Sequence, residues 1–177
     1  NNEKLAFLIN AYNALTIKWI LQHYPVKSIK DTGGFLSSPW KKKFFKLFGE
    51  EQSLDGIEHG ILRKDFQEPR IHFAVVCASK GCPALKGEAY TAAKLEEQLE
   101  SSARNFLRDS ERNYYNAEEN RFFLSKIFDW YGDDFKKKLG SVQAFIVPRM
   151  IPDTSTVKIQ ESTLKYLDYD WSLNETK

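Results

Sequence analysis

The chain has 177 residues, of which 42% are hydrophobic and 14% aromatic, so it can bury one sizeable core without a disulfide. Its 26 basic and 24 acidic residues leave a formal net charge of +2, too balanced to indicate a nucleic acid or another polyanionic partner. The longest apolar stretch is interrupted by Asn10, Asn13 and Lys18, and it falls short of the roughly 20 apolar residues that a membrane span needs. We therefore predict one domain over residues 1–177, with no transmembrane segment and no nucleic-acid partner.

The first predicted element is an amphipathic helix over about residues 3 to 23. Apolar residues recur there at helical spacing and the pattern stops at Pro25. Asn10 and Asn13 lie three apart on one face of this helix. Asparagine is a middling helix former, so this pair indicates either two buried hydrogen-bond anchors or part of a site. The first residue is Asn1 rather than Met, which predicts that an N-terminal segment is missing upstream.

Two further elements carry histidines. A second helix is predicted over residues 57–64, where His59 and Arg63 lie four apart on one face. The apolar run from residue 71 to 77, bounded by Pro69 and Gly81, predicts a buried central strand. Strand alternation would place His72 on the face opposite Cys77.

The second half of the chain reads as a mixture of helices and short strands. Helices are predicted over about residues 91–107, after Ser125 and over 141–150, a hairpin over 114–124, and late strands at 157–159 and 166–171. This order favours an α+β fold over a regular βαβ alternation. We expect several helices packed on a small mixed sheet that contains the strand near residues 71–77.

Both cysteines of the chain lie in the loop after that predicted strand. Pro83 favours the first position of a helix, which would put Cys82 at a helix N-cap, where free N–H groups and the helix dipole lower a thiol pKa. In the resulting hypothesis Cys82 is the nucleophile, His59 takes its proton, and Asn13 or Asn10 orients the imidazole or binds an oxyanion.

Several segments together resemble the domain of unknown function 547 family, and the resemblance covers nearly the whole chain. They are Phe7–Thr16, Ile57–Arg63, Ile71–Ala74 with Cys77 and Gly81-Cys82-Pro83, Leu124–Phe128 with Trp130-Tyr131, and the ending Tyr166–Trp171. The resemblance implies no assigned activity. Its motifs single out as site residues Asn10, Asn13, His59, Arg63, His72, Cys77, Cys82 and Pro83. Members occur in exported bacterial proteins and in plant and animal proteins, so export or a periplasmic location is favoured if the chain is bacterial.

The chemistry leaves alternatives open. The favoured reading is a cysteine-dependent hydrolase or acyl transferase acting on an amide or thioester, without a cofactor, in which catalysis involves Cys82, His59, His72 and Asn13. In this reading Asn10, Arg63 and Cys77 contribute to substrate binding, and Cys77, with His72 as its partner, is the second choice of nucleophile. The alternatives are a disulfide between the cysteines, a structural zinc site built from the cysteines and histidines, and a non-enzymatic module that binds a peptide or small ligand in an aromatic groove.

Overall fold

Helix α1 spans Asn2–His23 in the computed structural model, which describes residues 1–34, 37–151 and 161–175. The Asn1 side chain caps it by accepting a hydrogen bond from the N–H of Glu3. One face of α1 is buried along its length, and the helix ends before Pro25, which confirms the predicted first element.

The other helices follow in chain order. The α-helices are α2 Arg63–Phe66, α3 Leu95–Leu107, α4 Ile127–Trp130, α5 Gly132–Leu139 and α6 Val142–Met150. Tighter 3₁₀ helices cover Ile29–Thr32, Pro39–Lys41 and Pro69–Phe73, and a π-helix over Gly56–Leu62 runs directly into α2. None of the described helices is both long and apolar enough to cross a membrane.

The strands form two small sheets. Strands β1 (Phe45–Leu47) and β2 (Glu50–Gln52) pair antiparallel. Strands β3 (Tyr114–Asn116), β4 (Arg121–Leu124) and β5 (Thr163–Tyr166) form the second sheet in that order. The β3–β4 pair is antiparallel, as predicted for a hairpin, and the β4–β5 pair is parallel. The predicted α+β class is therefore confirmed.

The strand predicted at residues 71–77 was wrong. The chain forms instead the 3₁₀ helix Pro69–Phe73, which begins where the Glu68 side chain accepts the Arg70 N–H, and then an irregular loop. This segment runs between two hydrophobic clusters, with Ile71 in the first and Phe73 in the second. A segment buried on both sides has a continuous apolar sequence whether it is a strand or a helix, so the apolar run could not distinguish them.

The last predicted strands also need correction. The strand predicted at residues 166–171 instead lies earlier, as β5, because the chain leaves β4 after Tyr166 and bonds to the cysteine loop. There the backbone oxygens of Asp170 and Ser172 accept hydrogen bonds from the N–H groups of Gly81 and Lys80. The strand predicted at 157–159 lies outside the described residues.

Candidate active site

A cavity of about 270 Å³ opens where α1, the π-helix, the loop after Phe73, α4 and the C-terminal segment meet. Among the predicted site residues, those that line it are His59, His72, Cys77, Cys82 and Pro83. The described lining does not include Asn10, Asn13 or Arg63. The loss of strand alternation matters here, because His72 and Cys77 face the same cavity rather than opposite sides of a sheet.

Cys77 is the more accessible of the two cysteines. Its sulfur lies 3.0 Å from Ser79 Oγ and 3.1 Å from Tyr169 Oη. The hydrogen bond with the Cys82 thiol, followed by those with Ser79 and Tyr169, lowers the pKa of Cys77 to about 7, against the opposing effect of burial. Cys77 therefore has a substantial thiolate fraction at neutral pH.

Cys82 differs from its predicted setting. No helix follows Pro83 over residues 83–90, so the predicted N-cap position and its dipole are absent. The side chain is 5% exposed, and its sulfur accepts the N–H of Cys77 at 3.0 Å. Burial raises the pKa of the Cys82 thiol. Cys82 is thus suited to holding the Cys77 backbone and poorly suited to attacking a substrate.

The described residues bear on two of the structural alternatives. Both cysteines are free thiols. Within residues 1–34, 37–151 and 161–175, no three histidine, cysteine or acidic side chains gather where they could hold a metal ion. The geometry therefore favours neither a disulfide nor a zinc site.

His72 is 3% exposed and is held on two sides. Its Nε2 lies 2.9 Å from Asp134 Oδ2, and its ring stacks on Tyr131 with centroids 3.9 Å apart. Because an ionised carboxylate only accepts hydrogen bonds, Asp134 fixes the proton of neutral His72 on Nε2. Nδ1 is buried and has no hydrogen-bond partner among the described residues. Burial lowers the pKa of His72, which leaves Nδ1 as a neutral proton acceptor.

His59 is held differently. Arg63 Nη1 lies 3.0 Å from its Nδ1, and Asp55 Oδ1 lies 3.7 Å from its Nε2. A guanidinium can only donate, so the lone pair of His59 Nδ1 is already engaged, and the proton of the neutral ring lies on Nε2 towards Asp55. This side chain is 38% exposed. His59 therefore has no free basic nitrogen in this arrangement.

Asp134, which the sequence did not single out, connects the two histidines. Its carboxylate accepts two hydrogen bonds from Arg63, at 2.6 and 3.0 Å, as well as the one from His72. Although burial opposes it, these bonds hold the pKa of Asp134 well below its usual range. Asp133 precedes it and Phe135 follows it, and nothing in the local sequence distinguishes the two aspartates.

Asn10 and Asn13 act on backbone groups. Asn13 donates to the carbonyl of Ala74 at 2.9 Å and accepts the N–H of Val76 at 2.9 Å. Asn10 makes the same paired contacts with the N–H and carbonyl of Tyr90. Of the two readings of this pair, the geometry supports buried hydrogen-bond anchors, and Asn13 anchors the loop that leads into Cys77.

Replacing Asn13 by alanine leaves two buried backbone groups without partners, and we expect it to lower the free energy of unfolding by about 2–3 kcal/mol. Because that loop positions Cys77, the same change should slow alkylation of this cysteine in the folded protein. Asn10→Ala is the matched control, since it removes an equivalent clamp that lies on Tyr90. Urea unfolding combined with alkylation rates tests this; equal alkylation of both variants would contradict a positioning role for Asn13.

Glu58 lines the cavity together with His59 and His72. It is 7% exposed, and its two oxygens accept hydrogen bonds from Tyr12 at 3.0 Å and Tyr131 at 2.8 Å. Burial, followed by the charge of Glu58, raises the pKa of both phenols, so they remain protonated donors. The sequence did not single out Tyr12.

Aromatic rings form the other side of the cavity. The ring centroid of Tyr169 lies 4.9 Å from that of Trp130 and 4.5 Å from that of Trp171. Trp40 packs edge-on to Trp171, with ring centroids 5.6 Å apart. We call Trp40, Trp130, Tyr169 and Trp171 the aromatic wall. Phe44 and Phe45 pack against the hydrophobic clusters and are not among the described lining residues of this cavity.

The first part of the chain is similar to a known protein family. A family model described as "Protein of unknown function, DUF547" matches residues 1–107 of the 177. Comparisons with curated proteins and with solved structures gave no significant match. The matched region contains the asparagines, histidines and cysteines discussed above, whereas Asp134 and Tyr169 lie beyond it.

Proposed function

This chain belongs to the DUF547 family of proteins of unknown function, and on the geometry of its cavity we propose that it is a cysteine-dependent hydrolase or acyl transferase acting on an amide or thioester. The nucleophile is Cys77, and His72 is its base. One observation carries the proposal: a half-buried thiol of lowered pKa shares a cavity with an imidazole whose Nε2 is fixed by Asp134 and whose Nδ1 has no hydrogen-bond partner in the described part of the chain. A carboxylate that orients a histidine beside a nucleophile is the general arrangement of acyl-transfer sites.

The chemical steps follow from these roles. In the state that reacts, the Cys77 thiol is protonated and His72 is neutral: Cys77 Sγ attacks the substrate carbonyl carbon while its proton passes to His72 Nδ1. His72 then gives this proton to the leaving amine or thiol as the bond to the acyl carbon breaks, which leaves an acyl thioester on Cys77. Water or an acceptor amine attacks the thioester while His72 Nδ1 takes its proton; the bond from the acyl carbon to Cys77 Sγ breaks, the acyl product leaves, and the proton returns to the Cys77 sulfur.

Hydroxyl groups next to the sulfur supply candidates for stabilising the oxyanion. Tyr169 Oη and Ser79 Oγ both lie within 3.1 Å of Cys77 Sγ. Burial and the nearby thiols raise the pKa of Tyr169, so its hydroxyl stays a donor at neutral pH. The backbone N–H of Cys77 is already bonded to Cys82, and the side-chain hydroxyls are therefore the better candidates.

In this assignment Cys77, the second choice of nucleophile in the sequence-based hypothesis, takes the place of Cys82. Cys82 loses the nucleophile's role because it is buried and its pKa is raised, and it supports the Cys77 backbone instead. We assign the role of base to His72 and not to His59, because Arg63 is hydrogen-bonded to Nδ1 of His59.

Alkylation of the native protein tests the nucleophile first. We expect iodoacetamide to label Cys77 with a half-maximal rate near pH 7, because the reactive thiolate forms as the pH rises through that value. Cys82 should remain unlabelled until the protein unfolds. Peptide mass spectrometry gives the labelling rate of each cysteine across pH 5–9, with Cys82→Ser as the control. Faster labelling of Cys82 than of Cys77 would contradict the assignment of Cys77 as the nucleophile.

A second measurement addresses catalysis. p-Nitrophenyl acetate should acetylate Cys77 with a burst of p-nitrophenolate, followed by slower turnover as the thioester hydrolyses. Cys77→Ala should remove the burst, whereas Cys82→Ala should keep it if the variant folds. Acetylation found elsewhere, or an undiminished burst in Cys77→Ala, contradicts the mechanism.

A non-enzymatic binding module is the second candidate, and the aromatic wall favours it. Aromatic rings that line a cavity suit a peptide or small organic ligand whether or not chemistry follows. An inert Cys77 together with ligand-dependent quenching of tryptophan fluorescence would support this alternative.

A further inference from the structure

We infer that the ligand of this cavity carries an ammonium group, which binds between Asp55 and Glu58 while the rest of the molecule lies along the aromatic wall. The inference rests on the proposed function in treating this cavity as the substrate site. It names the substrate class as an amine-bearing acyl compound, such as a short peptide.

The charges around the cavity do not balance. The described lining includes the carboxylates of Asp55 and Glu58 and no lysine or arginine. Lys30 lies 3.8 Å from the ring centroid of Trp171 but is not among the lining residues. A carboxylate as buried as Glu58 is costly unless a cation compensates it.

The nearby guanidinium of Arg63 is already committed. It forms a two-pronged ion pair with Asp134 and contacts His59 with its remaining nitrogen. Among residues 1–34, 37–151 and 161–175, the hydrogen bonds to Glu58 come from the neutral hydroxyls of two tyrosines. One arginine therefore serves a group of three carboxylates, those of Asp55, Glu58 and Asp134, and a cationic ligand would complete the balance.

A second observation points to a ligand independently of the carboxylates. His72 is 3% exposed and lines the cavity, and its Nδ1 has no partner among the described residues. A buried nitrogen without a partner is uncommon in folded proteins, and a bound group in the cavity would supply one. The rings of the aromatic wall add to this, because the faces of tryptophan and tyrosine attract cations as well as apolar groups.

Two sources of the ammonium group fit the same chemistry: the free amino terminus of a peptide and a lysine side chain. The two sources can be distinguished by measuring how tightly matched probes bind to the Cys77→Ala variant, which cannot turn them over. Binding is measured by tryptophan fluorescence and by calorimetry. The first pair of probes is Gly-Phe-amide and its N-acetyl form, and the second is N-acetyl-lysine amide and its Nε-acetyl form. We expect the charged member of at least one pair to bind about tenfold or more tightly than its neutral partner.

Substitutions then locate the effect. Asp55→Asn and Glu58→Gln should each remove most of the preference for the charged ligand. Asp55 is less buried than Glu58, so its variant keeps the test valid if the Glu58 variant does not fold. Asp65→Asn is the matched control, since Asp65 pairs with Lys4 on the surface and is absent from the described lining of the cavity.

The outcomes separate this inference from the proposed function. Equal binding of charged and neutral probes, or no binding of any, overturns the ammonium site and leaves the Cys77 chemistry to its own tests. A clear charge preference in a protein whose Cys77 neither alkylates nor acylates overturns the enzyme and retains the site. A preference unchanged in Asp55→Asn and Glu58→Gln also overturns the inference.

Discussion

Replacing Asp134 by asparagine is expected to reduce acylation of Cys77 on the order of 10³–10⁴-fold, as seen when the aspartate of a Ser–His–Asp triad is replaced. The carboxylate fixes the proton of His72 on Nε2, and an asparagine amide can turn its NH₂ group towards that nitrogen. The imidazole would then hold its proton on Nδ1, where a base is needed. The measurement is the rate of acetylation by p-nitrophenyl acetate at pH 7.

The same substitution should lower the free energy of unfolding by roughly 2–3 kcal/mol at pH 7, because hydrogen bonds to an ionised group are lost. The folded-state pKa of Asp134 lies below its unfolded value of about 3.9. Its stabilisation is therefore fully present above the unfolded-state pKa and is lost as the pH falls from there through the lower folded-state pKa. The stability difference between wild type and Asp134→Asn should accordingly stay constant from pH 7 to about pH 5 and narrow as the pH falls below about 4.

Asp133→Asn is the control for both effects. Its side chain is 80% exposed and pairs only with Lys136 among the described residues, so we expect a change within about 0.5 kcal/mol and normal acylation. If Asp134→Asn kept wild-type acylation while folding normally, the role of His72 as an oriented base would be refuted.

Phe73→Ala should cause the largest loss of stability, about 3–5 kcal/mol. This side chain is fully buried, and its ring lies within 6 Å of those of Phe106, Phe128, Phe135 and Phe145. Because those neighbours belong to several elements, they cannot all move to fill the space, and a cavity remains. Chemical unfolding gives the measurement.

Phe7→Ala serves for comparison, since Phe7 is 49% exposed and touches Phe48 at 5.9 Å. We expect it to cost less than about 1 kcal/mol. Phe73 directly follows His72, so its loss should also slow acylation of Cys77. Similar costs for the two variants would mean that the aromatic cluster is not the main support of this segment.

The predictions that held depend on local patterns. Helical spacing of apolar residues and the stop at Pro25 were enough for α1, and an apolar stretch with a central turn was enough for the β3–β4 hairpin. The segment at residues 71–77 failed because it is buried on both sides, where the apolar sequence has no period to read. The pattern of residues predicted the fold class correctly, but it misassigned this segment and placed the last strand at residues 166–171 instead of Thr163–Tyr166.

The sequence by itself determined that the reactive side chains are concentrated between Asp55 and Pro83, since that is a matter of composition along the chain. Only the tertiary structure decided the surroundings of each one. Asp134 and Tyr169 come from distant parts of the chain to bond His72 and contact Cys77, while Cys82 is buried. A pKa and a free lone pair depend on neighbours in space, and these are set by how the helices pack.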